Sequence, residues 1–161
     1  MEGEMPSENK VMIIADYFVY KNTQEQRGLT NKKLQKLLYY AQAWSLVIND
    51  VKLFDDNIEA WVHGPAVPSV YFSFKDYGFK EITKEVEPKE FSNLSKKEIE
   101  LLDNIWDVYG KLDGNYLELL THNEQPWQEA RKELKEYENS HNTISLELMK
   151  SFYGKKIKNK S

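Results

Sequence analysis

Apolar residues recur at helical spacing over most of this chain, and the places where the spacing fails divide it into segments. Between Lys10 and Tyr20, the residues Val11, Ile14, Tyr17 and Phe18 form a helical stripe, which the polar stretch from Lys21 to Gly28 ends. Thr30 or Asn31 can cap the next helix, Lys32 to Ile48, by accepting a bond from a free backbone N–H. In that helix Leu34, Leu37, Leu38, Ala41, Ser45 and Ile48 lie along one face, and Gln35, Tyr39, Gln42 and Leu46 occupy a neighbouring one. Lys32, Lys33 and Lys36 crowd its start. Positive charge there opposes the helix dipole by roughly 0.3–1 kcal/mol each, so either solvent screens these lysines or an acidic partner or ligand relieves them.

Beyond Asn49-Asp50 and a turn at Leu53-Phe54-Asp55-Asp56, Ile58 to Val62 alternates as a short strand. Gly64-Pro65 then breaks the chain before a helix from about Ala66 to Tyr77, with Val67, Val70, Tyr71 and Phe74 inward. Phe79, Ile82 and Val86 alternate over Phe79 to Pro88, which offers a β hairpin between residues 58–62 and 79–87. Ser95-Lys96-Lys97-Glu98 is a capping box opening a helix to Tyr109. Asp113 starts another through about Leu120, Pro126 suits the first turn of one carrying Trp127, Ala130 and Leu134, and Ser145 to Tyr153 is the last. The pattern predicts a mainly α, compact single-domain bundle of about six to seven helices with one small hairpin. It spans residues 10–153, between a disordered leader at 1–9 and a basic flexible tail at 154–161.

Composition narrows the chemistry. At 161 residues with 40% hydrophobic positions, the chain can bury one ordinary core. It has no cysteine, which excludes disulfides, thiolate catalysis, zinc ribbons and iron–sulfur clusters. The apolar runs are too short to span a bilayer, and the acidic start Met1-Glu2-Gly3-Glu4 is unlike a signal peptide, so a cytoplasmic location is expected. A net charge of −4 argues against general nucleic-acid binding, with the basic end Lys155-Lys156-Ile157-Lys158 as the exception.

The catalytic motifs are missing. His63, His122 and His141 lie far apart in sequence with no ligand spacing, and neither a phosphate loop nor a nucleophile elbow occurs. The charge-alternating stretch from Glu129 to Glu138 reads as a solvated helix face. No catalytic residue, cofactor or metal is therefore assigned, and the chain is not expected to be an enzyme; a small hydrolase built on His63 and His122 would rest on those two imidazoles alone. Tyr39, Tyr40, Gln42, Trp44, Trp61, His63, Tyr71, His122 and Trp127 combine large apolar area with hydrogen-bonding tips. Such residues serve either as interface anchors or as core anchors.

Ordered blocks of the chain resemble the Panacea antitoxin domain family, also called SocA-like and related to phage-associated GepA proteins. The blocks are Lys33-Leu34-Gln35-Lys36-Leu37-Leu38-Tyr39-Tyr40-Ala41-Gln42-Ala43-Trp44, then Ile58-Glu59-Ala60-Trp61-Val62-His63-Gly64-Pro65, and Leu120-Thr121-His122-Asn123-Glu124-Gln125-Pro126-Trp127. The family more often carries an aromatic where His63 stands and Val where Ala66 stands. The resemblance implies a helical antitoxin of a toxin–antitoxin module, which neutralises a cognate protein toxin by direct contact. The alternative is a DNA-binding autorepressor or phage-associated regulator, with DNA bound only together with the toxin. On this basis Tyr39, Tyr40, Gln42, Trp44, Trp61, His63, Gly64, Pro65, His122 and Trp127 are expected to dock the partner, with Tyr39 and Gln42 dispensable for folding.

Overall fold

A computed structural model describes residues 7–158. The first apolar stripe folds as α1 (Ser7–Glu25), which begins inside the expected leader and runs through most of the expected polar break. It ends where the buried Asn22 turns its side chain onto the following loop, Oδ1 accepting from Arg27 N at 2.8 Å and Leu29 N at 3.2 Å. Residues 1–6 of the expected leader lie outside the described residues.

The second stripe is α2 (Asn31–Ile48), capped by the Thr30 side chain, which accepts from Lys33 N at 3.2 Å. This helix packs against nearly every other element, and fourteen of its eighteen residues are buried. A helix buried on all sides has no polar face to give to water. Ile48, expected on the buried stripe, is instead 59% exposed at the end of the helix.

A hairpin follows, although its partner strand differs from the expected one. β1 (Glu59–Trp61) pairs antiparallel with β2 (Gly64–Ala66) across the two-residue turn Val62-His63, in the register Ala60 opposite Pro65. Gly64-Pro65 is thus a strand, with Gly64 at φ 113°, a conformation open to glycine. On its other side β1 is flanked by residues 142–144, with Ala60 N donating to Asn142 O and Ile144 N to Ile58 O, both at 2.8 Å. Residues 79–87 form no strand; Ile82 is buried singly, its N–H donating to Leu29 O at 2.8 Å. The alternation there reflects separate apolar contacts with the core, since Val86 also packs onto it.

Next come α3 (Pro68–Ser73), shorter than expected, and α4 (Lys96–Tyr109), whose capping box forms in both directions between Ser95 and Glu98. α5 (Gly114–His122) is capped by Asp113, and α6 (Gln125–Ala130) is brief. The stretch from Glu129 to Glu138 is not a helix face beyond Ala130. Its chain winds around the buried guanidinium of Arg131, which donates to the carbonyls of Ala60 at 2.9 Å and Glu138 at 2.6 Å, with longer bonds to Lys135 and Glu136. α7 (Leu146–Lys158) closes the fold against α2, burying Met149 and Tyr153, so Lys155 and Lys156 belong to its last turns and not to a flexible tail. Residues 159–161 lie outside the description.

Gly64 is constrained both by its backbone angle and by the space around it. A Cβ there would stand 2.5 Å from Lys36 Cε, and φ alone disfavours any other residue. Gly64→Ala should destabilise the protein by about 2–4 kcal/mol in urea unfolding; a change within experimental error would show that the hairpin does not need this packing.

Candidate functional site

The expected docking residues separate into two groups. Tyr39, Tyr40 and Gln42 are fully buried and Gly64 and Pro65 are buried with them, so none of the five presents a surface to a partner. Each has an internal partner instead. Gln42 Oε1 accepts from Leu53 N at 2.6 Å while its amide donates to Phe54 O at 2.8 Å, which fixes the loop after α2. Tyr40 and Tyr153 hydroxyls both donate to Glu124 Oε1, at 2.8 and 2.7 Å, and Tyr39 meets the Tyr153 hydroxyl at 2.9 Å. Burial raises the Glu124 carboxyl, opposed by these two hydroxyls, and raises all three phenols. Trp44 is half-buried and packs toward α4 and α7, its indole N–H donating to the Tyr109 hydroxyl at 2.9 Å. Truncating Tyr39 and Gln42 is therefore a core substitution, contrary to the expectation that both are dispensable.

The lysines of α2 are also relieved internally. Lys33 Nζ donates to Arg27 O at 2.7 Å, Lys36 Nζ to Pro65 O at 3.2 Å, and Lys32 Nζ lies 2.6 Å from Glu118 Oε1. Burial pushes the Lys36 ammonium down to about 7, against the pull of Glu118. Burial likewise lowers Lys33 to about 8.

The second group gathers around the hairpin. Trp61, His63, His122 and Trp127 are half-buried or exposed there. The Trp127 indole N–H donates to Trp61 O at 2.8 Å, and the His122 ring stacks on Trp127 with centroids 4.0 Å apart. Both imidazoles approach one carboxylate: His63 Nδ1 is 3.4 Å and His122 Nε2 4.0 Å from Glu118 Oε2. Partial burial alone would raise the Glu118 carboxyl, but Lys32 and His63 hold it below its ordinary value. Burial lowers His122, with Glu118 opposing. The structure thus brings the two distant histidines to a shared acid, and neither caps a helix carbonyl as a side chain. Among the described residues no group of three or more His, Asp or Glu is arranged to hold a metal ion.

Beside this cluster a groove of about 590 Å³ opens over the hairpin. Its aromatic walls are Trp61, Tyr71, Phe72 and Tyr137, with His63 and His141 at the edges. Trp61 meets Tyr71 edge-on with centroids 5.0 Å apart, and Phe72 stands 6.4 Å from Trp61. Phe72 is 59% and Tyr137 78% exposed, an unusual pair of large rings to leave in water on one groove. Glu59 Oε1 lies 2.9 Å from both the Trp61 indole nitrogen and His141 Nδ1, which ties the groove to β1. Phe72, Tyr137, His141, Glu59 and Glu118 were not assigned from the sequence. Tyr137 and His141 lie in the irregular segment wound around Arg131, where no periodicity marks them.

A model of the family described as "Antitoxin SocA-like, Panacea domain" matches residues 34–128, more than half of the chain. No curated protein and no solved structure matches it. The matched span opens in the buried helix α2 and includes the hairpin, α3 and the His122–Trp127 stack.

The buried lysines give a pH signature. Below pH 7 Lys36 carries its proton in both folded and unfolded states. Between about 7 and its ordinary 10.5 the unfolded chain binds more protons, so stability rises with pH, and Lys33 acts in the same direction. Urea unfolding from pH 7 to 9.5 should show this rise in the natural chain and a flatter one in Lys36→Met; equal slopes would count against a buried, depressed Lys36.

Proposed function

The chain belongs to the SocA-like Panacea antitoxin family, and we propose that it neutralises a cognate protein toxin by direct contact through the aromatic groove over its hairpin. The family carries the antitoxin role. The groove is supported by one observation above the others, the exposure of Phe72 and Tyr137 beside the half-buried Trp61, on a protein that buries Tyr39 and Tyr40 completely. Tyr, Trp and Phe concentrate at protein interfaces because they add large, rigid area with few rotamers to freeze.

The hairpin suits this task because its backbone is held from below. Pro65 O is bonded by Lys36, Ala60 O by Arg131 and Trp61 O by Trp127. Side chains mounted on such a strand lose little further freedom when a partner binds, and pre-ordering of this kind favours affinity. Toxin neutralisation by this route needs no chemistry, only a surface that competes for the toxin's own working face.

The test is co-expression with the product of the adjacent reading frame. Phe72→Asp combined with Tyr137→Asp places charge on the groove while touching no buried hydrogen bond. The double variant should keep its stability within about 1 kcal/mol and lose protection against the toxin, with loss of co-purification. Full protection by this variant at equal expression would exclude the groove as the docking surface.

A further inference from the structure

Trp106 is satisfied by two opposite charges. Its indole N–H donates to Glu25 Oε1 at 3.0 Å, Arg27 Nη2 lies 3.0 Å from that same oxygen, and Arg27 Cζ stands 5.2 Å from the ring centroid. An anion at the N–H edge pushes electron density toward the ring face, and a cation over the face meets it.

Trp61 shares the first half of this arrangement. Its indole N–H donates to Glu59 Oε1 at 2.9 Å, and its ring faces into the groove between Tyr71 and Phe72. No Lys or Arg is among the residues lining the groove, and the one cation over its rings, Lys75 Nζ, stands 6.0 Å from the Phe72 centroid among the described residues. The Glu59 side chain keeps 20% of its surface accessible, and the adjoining turn sets Glu136 and Glu138 on either side of Tyr137. Aromatic walls backed by the Glu59 carboxylate, which bonds two of the lining residues, Trp61 and His141, complement a cation whose head is flat and weakly hydrated.

We propose that the groove receives an arginine side chain of the protein partner, with its guanidinium stacked on Trp61 and the exposed rings of Phe72 and Tyr137 and paired with Glu59. This assignment rests on the docking role proposed above and adds the chemistry of what docks. Arginine fits better than lysine because a planar guanidinium stacks on an aromatic face while its edge still donates to a carboxylate. The chain itself uses arginine this way at Trp106, where Arg27 also pairs with Glu25; at Trp127 the Arg131 Cζ lies 5.3 Å from the ring centroid while its edge donates to backbone carbonyls.

The probe is the peptide acetyl-Gly-Arg-Gly-amide, with its citrulline counterpart as an uncharged mimic of the same shape. Each is titrated into the full chain while the Trp61 indole N–H resonance is followed by NMR, assigned through Trp61→Phe. The arginine peptide should shift that resonance saturably and bind about tenfold more tightly than the citrulline peptide, the scale of a partly desolvated cation–π contact with a paired carboxylate. Glu59→Gln, which still accepts the Trp61 bond, should reduce the difference severalfold with an unchanged melting temperature. Equal binding of the two peptides, or a preference for arginine that Glu59→Gln leaves undiminished, would overturn the proposal. If the Phe72→Asp, Tyr137→Asp variant loses protection while the two peptides bind alike, the groove docks the toxin without arginine and only this inference fails. If protection survives that variant, the docking role fails with it. A dimer of this chain that Phe72→Asp dissolves would put a second copy in the groove and also overturn the proposal.

Discussion

Everything in this fold leans on one helix whose central turns, residues 33–43, are buried all round. Because the middle of α2 is enclosed by helices and the hairpin, its buried polar side chains must find partners inside, and many of these are backbone groups of the segments packed around it. Asn31 donates to Tyr71 O at 3.0 Å, Gln35 accepts from Val67 N at 2.8 Å, Lys36 reaches Pro65 O and Gln42 holds residues 53 and 54. Of these positions, 53, 54 and 67 lie outside any helix or strand, and β2 and α3 are only three and six residues long. Loss of one such side chain leaves a buried amide unpartnered, a cost of about 1–3 kcal/mol. The polar half of the signature is therefore a set of loop anchors.

The aromatic half extends the same logic toward the C-terminus. Tyr39 and Tyr40 reach across α2 to Tyr153 on α7 and to Glu124 just before α6, while Tyr40 stacks on Tyr109 of α4 with ring centroids 4.0 Å apart. One carboxylate oxygen accepts two phenolic hydroxyls, so a single acid joins three helices. A buried carboxyl with two donors and a shifted protonation is tolerable only when the geometry is complete. This explains why α7 docks against a helix more than a hundred residues earlier in the chain.

Local signals were legible where local physics decides. Thr30, Ser95 and Asp113 cap the helices that follow them, and the extent of α2 and α4 follows from periodicity. Three things were not legible. Periodicity assumes one wet face, so on a helix buried all round the residues Tyr39 and Gln42 looked like surface positions. The hairpin's second strand contains Gly64-Pro65, which reads as a breaker; nothing local reveals that Lys36 will hold its carbonyl. The segment around Arg131 has the charge pattern of a solvated helix, and only the tertiary bonds of one guanidinium turn it into the coil that carries Tyr137. Of the ten expected docking residues, Trp61, His63, His122 and Trp127 gather with exposed surface at the hairpin, while Gly64 and Pro65 form its buried second strand.

The hairpin's backbone is bonded from beneath by Lys36, Arg131 and Trp127, whereas the side chains of Phe72 and Tyr137 make no hydrogen bond among the described residues. The parts that hold the fold and the parts that meet the outside are thus different atoms on the same few segments. The exposed rings of Phe72 and Tyr137 are therefore free to change one at a time without once disturbing the bonds that keep the chain folded.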